Sequence, residues 1–402
     1  MLEGVKVIEM ATYVAAPSAG GIMSDWGADI IKIEPLSGCP MRKFYASAMT
    51  DDYPDNPISA LDNRGKRAIA VNTSTAEGQE IVRKLVANAD VFLTNVRPGQ
   101  LKKQGLDYDS LKLLNEKLVY ASVTGFGLEG EEADKPGFDT AAFWSKSGFG
   151  WIMTPKGSAP APLRTAAGDH ITGIATTSGI LAALFQAQRT GKGTLVESSL
   201  IRTASYAAGC DYGTYLRYGR IARSRPREEA VQPVANFFKT ADDYWVMLTT
   251  RPGEPDWPDF MRALELEELI EDPRFLTLRD RRRNGPELVK LMDAKFEKRT
   301  LAEWRVRLDE AKVVWSPVQD FDQAIADPQM QAAGCFVDMP KPDGSSYRNP
   351  ASPIRFRDDS TDPKGPLPEV GEHTLDVLRD LGIDEETCQN WLEQKIIGQH
   401  SG

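Results

Sequence analysis

Residues 5–35 read VKVIEMATYVAAPSAGGIMSDWGADIIKIEP. The run Val5–Met10 is short, apolar and rich in β-branched residues, and so is ADIIKIEP from Ala28. Between them, AAPSAGGIMSDWG has the spacing of a helix with small residues at its start. Strand, helix and strand in about thirty residues make a βαβ unit. The alternation continues, with strands expected at Ala68–Val71, Val91–Thr94 and Leu118–Val123 and helices at Ala76–Ala87 and Tyr108–Asn115. Short apolar strands separated by helices imply an α/β fold with a mostly parallel sheet covered on both faces.

Further along, Ile171–Arg189 is apolar nearly all round, which predicts a central helix packed on several sides. GTLVESSLIRTASYAAG supplies another strand and helix. Charges and prolines crowd in RYGRIARSRPREEAVQP, which reads as a linker or surface crossing. ANFFKTADDYWVMLTT then reads as a hairpin around an Asp-Asp turn, and Glu-, Arg- and Leu-rich helices follow to about Lys312. A chain of 402 residues exceeds what one core usually serves. The expected layout is a large domain of residues 1–220 and 325–402, with a smaller α+β domain of residues 221–324 between. The segment after Val314 is expected to supply helices and a strand able to return to the large domain.

A formal charge of −10 argues against a nucleic-acid or membrane-surface binder, which needs a basic footprint. No run approaches a membrane span, and the N-terminus enters a strand pattern without a secretory signal. Cys39, Cys210, Cys335 and Cys388 form no CxxC pair and read as reduced thiols, so the cytoplasm is the expected location.

Candidate chemistry narrows by elimination. Glu34 ends the second strand where a ribose-binding acid would stand, but the turn before the first helix lacks the G-x-G-x-x-G fingerprint. Its small residues either admit a phosphate to the helix N-terminus or pack helix against sheet. The three histidines form no metal-binding pattern, so no metal is expected, and no G-x-S-x-G elbow is present. Basic groups cluster at Arg64, Lys66 and Arg67, and again at Arg97, Lys102 and Lys103. The second cluster follows a strand end, where open α/β sheets bind ligands. Asp169 has two readings. It is placed to cap the helix that follows, or it is a carboxylate nucleophile, with Gly168 leaving room for a bulky thioester.

Six blocks in order resemble the class III CoA-transferases, the group of the formyl-CoA and carnitine CoA-transferases. They are GVKVIEMATYVAAPSAGGIMSDWGADIIKIEP, NRGKRAIAVNTSTAEGQEI, NVRPGQLKKQGLDYDSL, LVYASVTGFGLEGEEADKPGFD with AAGDHITGIATTSGILAAL, RTGKGTLVESSL and VGEHTLDVLRDLG. The resemblance implies a Rossmann-like large domain built from both chain ends, a smaller domain, and two chains interlocked as a homodimer. It implies CoA transfer from an acyl-CoA to a small carboxylic acid, with coenzyme A as part of the substrate and Asp169 as a nucleophile that forms an anhydride and then an aspartyl-CoA thioester. By the same resemblance Val14 and Ala15 adjoin pantetheine. Asn72, Thr73, Ser74, Asn95, Val96 and Arg97 meet the nucleotide side, Lys103 meets phosphate, and Lys135 to Phe138 line the CoA path.

Two departures stand out. Pro35 occupies the place of an arginine that commonly follows the KIE motif, leaving Arg42 as a candidate replacement. TTRPGEPDWPDF replaces a glycine-rich loop of the formyl-CoA branch. FDTAAFWSKSG and RPGEPDWP look more like a branch that handles aryl or 2-hydroxy acyl groups. The α-methylacyl-CoA racemases are the rival, since they share these blocks. They carry a histidine in GHD where this chain has Gly137, Phe138 and Asp139, and phenylalanine cannot take a proton. A third possibility, a CoA-binding protein without catalysis, requires Asp169 to be only a cap.

Overall fold

Side chains alternate between the faces of a strand. In β1 (Lys6–Met10) and β2 (Asp29–Glu34) that alternation separates two layers. Ile8, Met10, Ile31 and Ile33 enter one hydrophobic cluster with Ile81, Val82, Leu85 and Val86 of the helix Ala76–Val86. Val7 and Ile30 enter a second cluster on the opposite face with Ala16, Ala19 and Met23 of the helix Ala15–Asp25. The computed structural model, which describes residues 1–44, 56–164, 166–341 and 344–400, therefore has a sheet covered on both sides.

The remaining strands are β3 (Arg67–Val71), β4 (Val91–Thr94), β5 (Val119–Thr124) and β6 (Leu195–Ser199). All pair in parallel in the order β3-β2-β1-β4-β5-β6, and Ile8 lies opposite both Ile31 and Phe92. A short strand, Ile397–Gly398, adds antiparallel to β3 at the edge. The mixed α/β architecture with a parallel central sheet matches the expectation. The order reverses between β1 and β4, so the loops leaving their carboxyl ends diverge and open a crevice.

The small residues of the first helix have a physical cause. Every residue of Ala15–Asp25 except Ile22 is buried. A Cβ at Gly20 would stand 2.0 Å from Glu9 Oε2. Glu9 itself accepts hydrogen bonds from Lys32 Nζ at 2.7 Å and Lys66 Nζ at 2.6 Å, and all three side chains are almost fully shielded from water. Burial and the nearby Lys32 charge push Lys66 down to about 8, against the pull of Glu9. The basic group Arg64, Lys66 and Arg67 is thus structural. Arg64 is buried on Asp25, Lys66 on Glu9, and Arg67 pairs with Asp29.

The long helix spans Ala167–Thr190. One side is buried through Thr172, Thr176, Ile180 and Ala183, while Ile171, Ile174 and Phe185 are 43%, 43% and 62% exposed. The expectation of packing on several sides is therefore not met within one chain, because the apolar residues continue onto a face that no other element covers among the described residues.

The chain forms two compact units, residues 1–150, 162–217 and 329–402 in one and residues 151–161 and 218–328 in the other. The second unit has its own core of Phe238, Phe260, Phe275, Phe296 and Trp304, all fully buried. Its hairpin pairs Phe237–Lys239 with Trp245–Thr249. Val314–Pro317 joins that hairpin as a third strand. Among the described residues Phe336–Pro340 pairs only with Ser346–Pro350, and the strand that returns to the large sheet is the later Ile397–Gly398. No described helix is long and apolar enough to cross a membrane.

Candidate active site

One side chain fixes the crevice. Thr12 N donates to Asn95 Oδ1 at 2.9 Å, and Asn95 Nδ2 donates back to the Thr12 carbonyl at 2.7 Å. This reciprocal pair ties the loop after β1 to the loop after β4. A cavity opens on each side of it. The first, about 180 Å³, is lined by Tyr13, Ala15, Lys135, Gly137, Phe138 and Asp169 among others. The second, about 600 Å³, is lined by Glu34, Pro35, Asn72, Thr73, Ser74 and Val96 among others. Thr12, Asn95 and Arg97 line both, so the two adjoin. No carboxylate pairs with Arg97 among the described residues, which leaves a free cation at the junction.

The segment Lys135–Phe138 is held over the first cavity by its neighbours. Asp134 Oδ1 accepts the Gly99 N–H at 2.7 Å, and Lys135 Nζ pairs with Glu132 at 2.9 Å. Phe138 meets Tyr13 edge to face at 5.2 Å, and Tyr13 is held at a left-handed φ of 60°.

Asp169 is not a cap. The helix begins at Ala167 after Ala166, whose φ is 63°, and Asp169 lies inside its first turn with no side-chain capping bond. Its carboxylate makes no hydrogen bond among the described residues. The carboxylate facing the helix-start amides is instead Asp139, which accepts the Thr140 N–H at 2.7 Å and whose ionised form the Gly168 and Ala166 amides favour. Gly168 also differs from expectation. A Cβ there would stand 2.5 Å from Phe143 Cγ, so the space is taken by the Phe143 ring and not left for a ligand.

The electrostatics follow from this crowding. Burial, then the charges of Asp139 and Asp62, push Asp169 up to about 7, while His170 works in the opposite direction. Asp139 is also raised, chiefly by burial, and its Oδ2 is buried without a partner. His170 Nε2 lies 3.1 Å from Asp62 Oδ1. Burial disfavours the charged imidazole, but the bond to Asp62 and the charges of Asp62, Asp169 and Asp139 outweigh it, so His170 titrates above its usual range. Desolvation plus specific charge partners in a cleft makes Asp169 a candidate functional carboxylate.

Ala15, Asn72, Thr73, Ser74, Asn95, Val96, Arg97, Lys135, Phe138 and Asp169 are brought together around the two cavities. Val14 is not, being packed against Cys39, Met41 and Ala166. Lys103 points outward from the helix Pro98–Gln104 and lines neither cavity, where Gln100 and Gln104 stand instead. Arg42 lines neither cavity, because Glu34 holds it through bonds of 2.9 and 2.8 Å. Thr12, Tyr13, Gln100 and Gln104 escaped sequence reasoning. The i, i+4 spacing of the two glutamines was the one available signal.

Among the described residues, no cluster of three His, Cys, Asp or Glu side chains is placed to hold a metal ion. The family model for CoA-transferase family III matches residues 2–374. The (R)-2-hydroxy-4-methylpentanoate CoA-transferase of Clostridioides difficile is 33% identical over 99% of both chains. The cinnamoyl-CoA:phenyllactate CoA-transferase of Clostridium sporogenes is 32% identical over 99% of this chain and 97% of its own. A CaiB/BaiF family protein from Brucella suis superposes with a TM-score of 0.82 at 29% identity, covering 94% of this chain and 99% of that one. The chain belongs to CoA-transferase family III. It is an enzyme of the CoA-transferase type, a class that works on CoA thioesters.

Proposed function

We propose that this enzyme moves CoA from an acyl-CoA donor to a carboxylic acid through a covalent intermediate on Asp169. The observation that carries this reading is an ionisable carboxylate, free of hydrogen bonds among the described residues, in the wall of a small cavity that continues past Arg97 into a larger one. The larger cavity suits the nucleotide end of CoA, with Asn72, Thr73, Ser74, Val96 and the Arg97 cation around it. The smaller suits the thioester.

An Asp169 oxygen attacks the thioester carbonyl carbon. The C–S bond breaks, leaving a mixed anhydride and CoA thiolate. The thiolate attacks the aspartyl carbonyl carbon, the donor acid departs as its carboxylate, and an aspartyl-CoA thioester remains. An acceptor carboxylate repeats both steps in reverse and restores Asp169. No proton is gained or lost overall, and the acyl energy is kept in covalent form throughout. The Tyr13–Phe138 pair gives the reacting end an aromatic wall, which suits bulky branched, aryl or 2-hydroxy acyl groups. The named activities of the two Clostridia relatives agree with that class. Racemisation is not favoured, because Phe138 offers no base on that wall. The uncovered Ile171, Ile174 and Phe185 face favours a second copy of the chain as its partner, in an interlocked homodimer.

Mixing enzyme with an acyl-CoA and quenching with hydroxylamine should place a hydroxamate on the peptide that contains Asp169. Absence of that adduct with several branched and aryl donors overturns the mechanism. Exchange of the α-hydrogen with solvent deuterium, without CoA transfer, would establish the racemase reading in its place.

A further inference from the structure

Asp169 works in an unfavourable field. Three carboxylates converge on the start of the long helix: Asp169 itself, Asp139 from the preceding segment, and Asp62 from the helix Pro57–Asn63. Asp62 is 2% exposed and Asp139 is 6% exposed, and each keeps one buried oxygen without a hydrogen-bond partner. A nucleophilic carboxylate must be ionised to attack, yet each neighbour disfavours a further negative charge.

One cationic group answers this from the same helix. His170 follows Asp169 directly, and its Nε2 is fixed at 3.1 Å on Asp62 Oδ1. Behind Asp62 stands Lys66, which is bound to Glu9 and Asn63, with Lys32 on the other Glu9 oxygen. In charge, the two lysines offset Glu9 and Asp62, so a protonated His170 is the positive charge on this helix that faces Asp169 and Asp139 together. Arg97 and Lys135 line the same cavity, but the phosphates of a CoA substrate and Glu132 compete for them.

We propose that the His170–Asp62 pair is an electrostatic positioning device for Asp169: Asp62 holds a protonated His170 in place, and its charge keeps the neighbouring carboxylate ionised for attack. This rests on the reading of Asp169 as the nucleophile. His170 touches no reacting atom in this scheme and acts through Asp169 alone.

Coupling of this kind is reciprocal, so an ionised Asp169 must raise the His170 titration as much as His170⁺ lowers that of Asp169. The chain has three histidines, which makes their ring-proton NMR signals assignable by single substitutions. The first experiment titrates His170 in the wild type and in Asp169→Asn. The His170 midpoint is expected to fall by about half a unit or more in the variant. An unchanged midpoint overturns the proposal. The second compares pH profiles of kcat/KM for the wild type and His170→Gln. The acid limb should move to higher pH by a similar amount, with the alkaline plateau and the KM for acyl-CoA nearly kept. A purely structural role would lower the whole profile without moving its limb, and that result also overturns the proposal. If His170→Gln does not fold, the NMR arm still decides. Retention of CoA transfer by Asp169→Asn would sink the nucleophile reading instead, whatever the titrations show.

Discussion

A carboxylate that titrates near 7 has consequences for the whole protein before any substrate arrives. Asp169 is pushed up to about 7 by burial, Asp139 and Asp62, against about 3.9 for an aspartate in an unfolded chain. The folded state therefore holds this proton more tightly, and stability is lost as pH rises through that window. The full penalty is reached above pH 7 and vanishes below the unfolded value. Asp169→Asn removes it, so the variant should be more stable than the wild type at pH 8 by about 2–4 kcal/mol and equal to it near pH 4. Urea midpoints measured across that range check this. In the proposed mechanism only the ionised form attacks, which places the acid limb of kcat/KM near 7.

Elements place this residue through close contacts that pattern reading could not supply. Strands β1 to β6 were legible because runs such as VKVIEM and VFLT leave few other options. By sequence the glycine ahead of Asp169 offers open space, whereas Phe143 fills it from a segment 25 positions earlier in the chain. Local sequence offers Asp169 as a cap, whereas the carboxylate that faces the helix-start amides is Asp139, 30 positions away. His170 and Asp62 are 108 positions apart, and their pairing has no periodic signature. Signals of period 2 or 3.6 report faces of single elements, and these contacts lie between elements. Gly168→Ala tests the arrangement. Its Cβ would press on Phe143 Cγ at 2.5 Å, and overpacking of this kind costs about 1–3 kcal/mol. The turn carrying Asp169 must then shift. With Asp169 as the proposed nucleophile, the expected result is kcat lowered at least about tenfold with KM for acyl-CoA nearly unchanged, because misplacing it loses orientation and not binding. Gly168→Ala combined with Phe143→Leu should recover much of kcat, and steady-state kinetics on the three proteins would show it.

Across the whole molecule, the order β3-β2-β1-β4-β5-β6 decides where a ligand can sit. The reversal between β1 and β4 lays the Thr12–Asn95 clamp at the crevice, and Arg97 leaves β4 two residues beyond Asn95. The chain carries a net charge of −10, so an anionic substrate meets repulsion from the molecule at large. Its approach must depend on local cations, and Arg97 is the one that lines both cavities without a carboxylate partner among the described residues. Arg97→Ala should therefore raise KM for acyl-CoA by about tenfold, the worth of one charge-assisted contact, while kcat changes little because Asp169 keeps its surroundings. The salt dependence of kcat/KM should flatten in the variant, since the screened attraction has been removed. Initial rates at low and high ionic strength, with acyl-CoA varied at a saturating acceptor concentration, give both quantities. An unchanged KM together with an unchanged salt slope would mean that the nucleotide end of the substrate does not pass the junction between the two cavities.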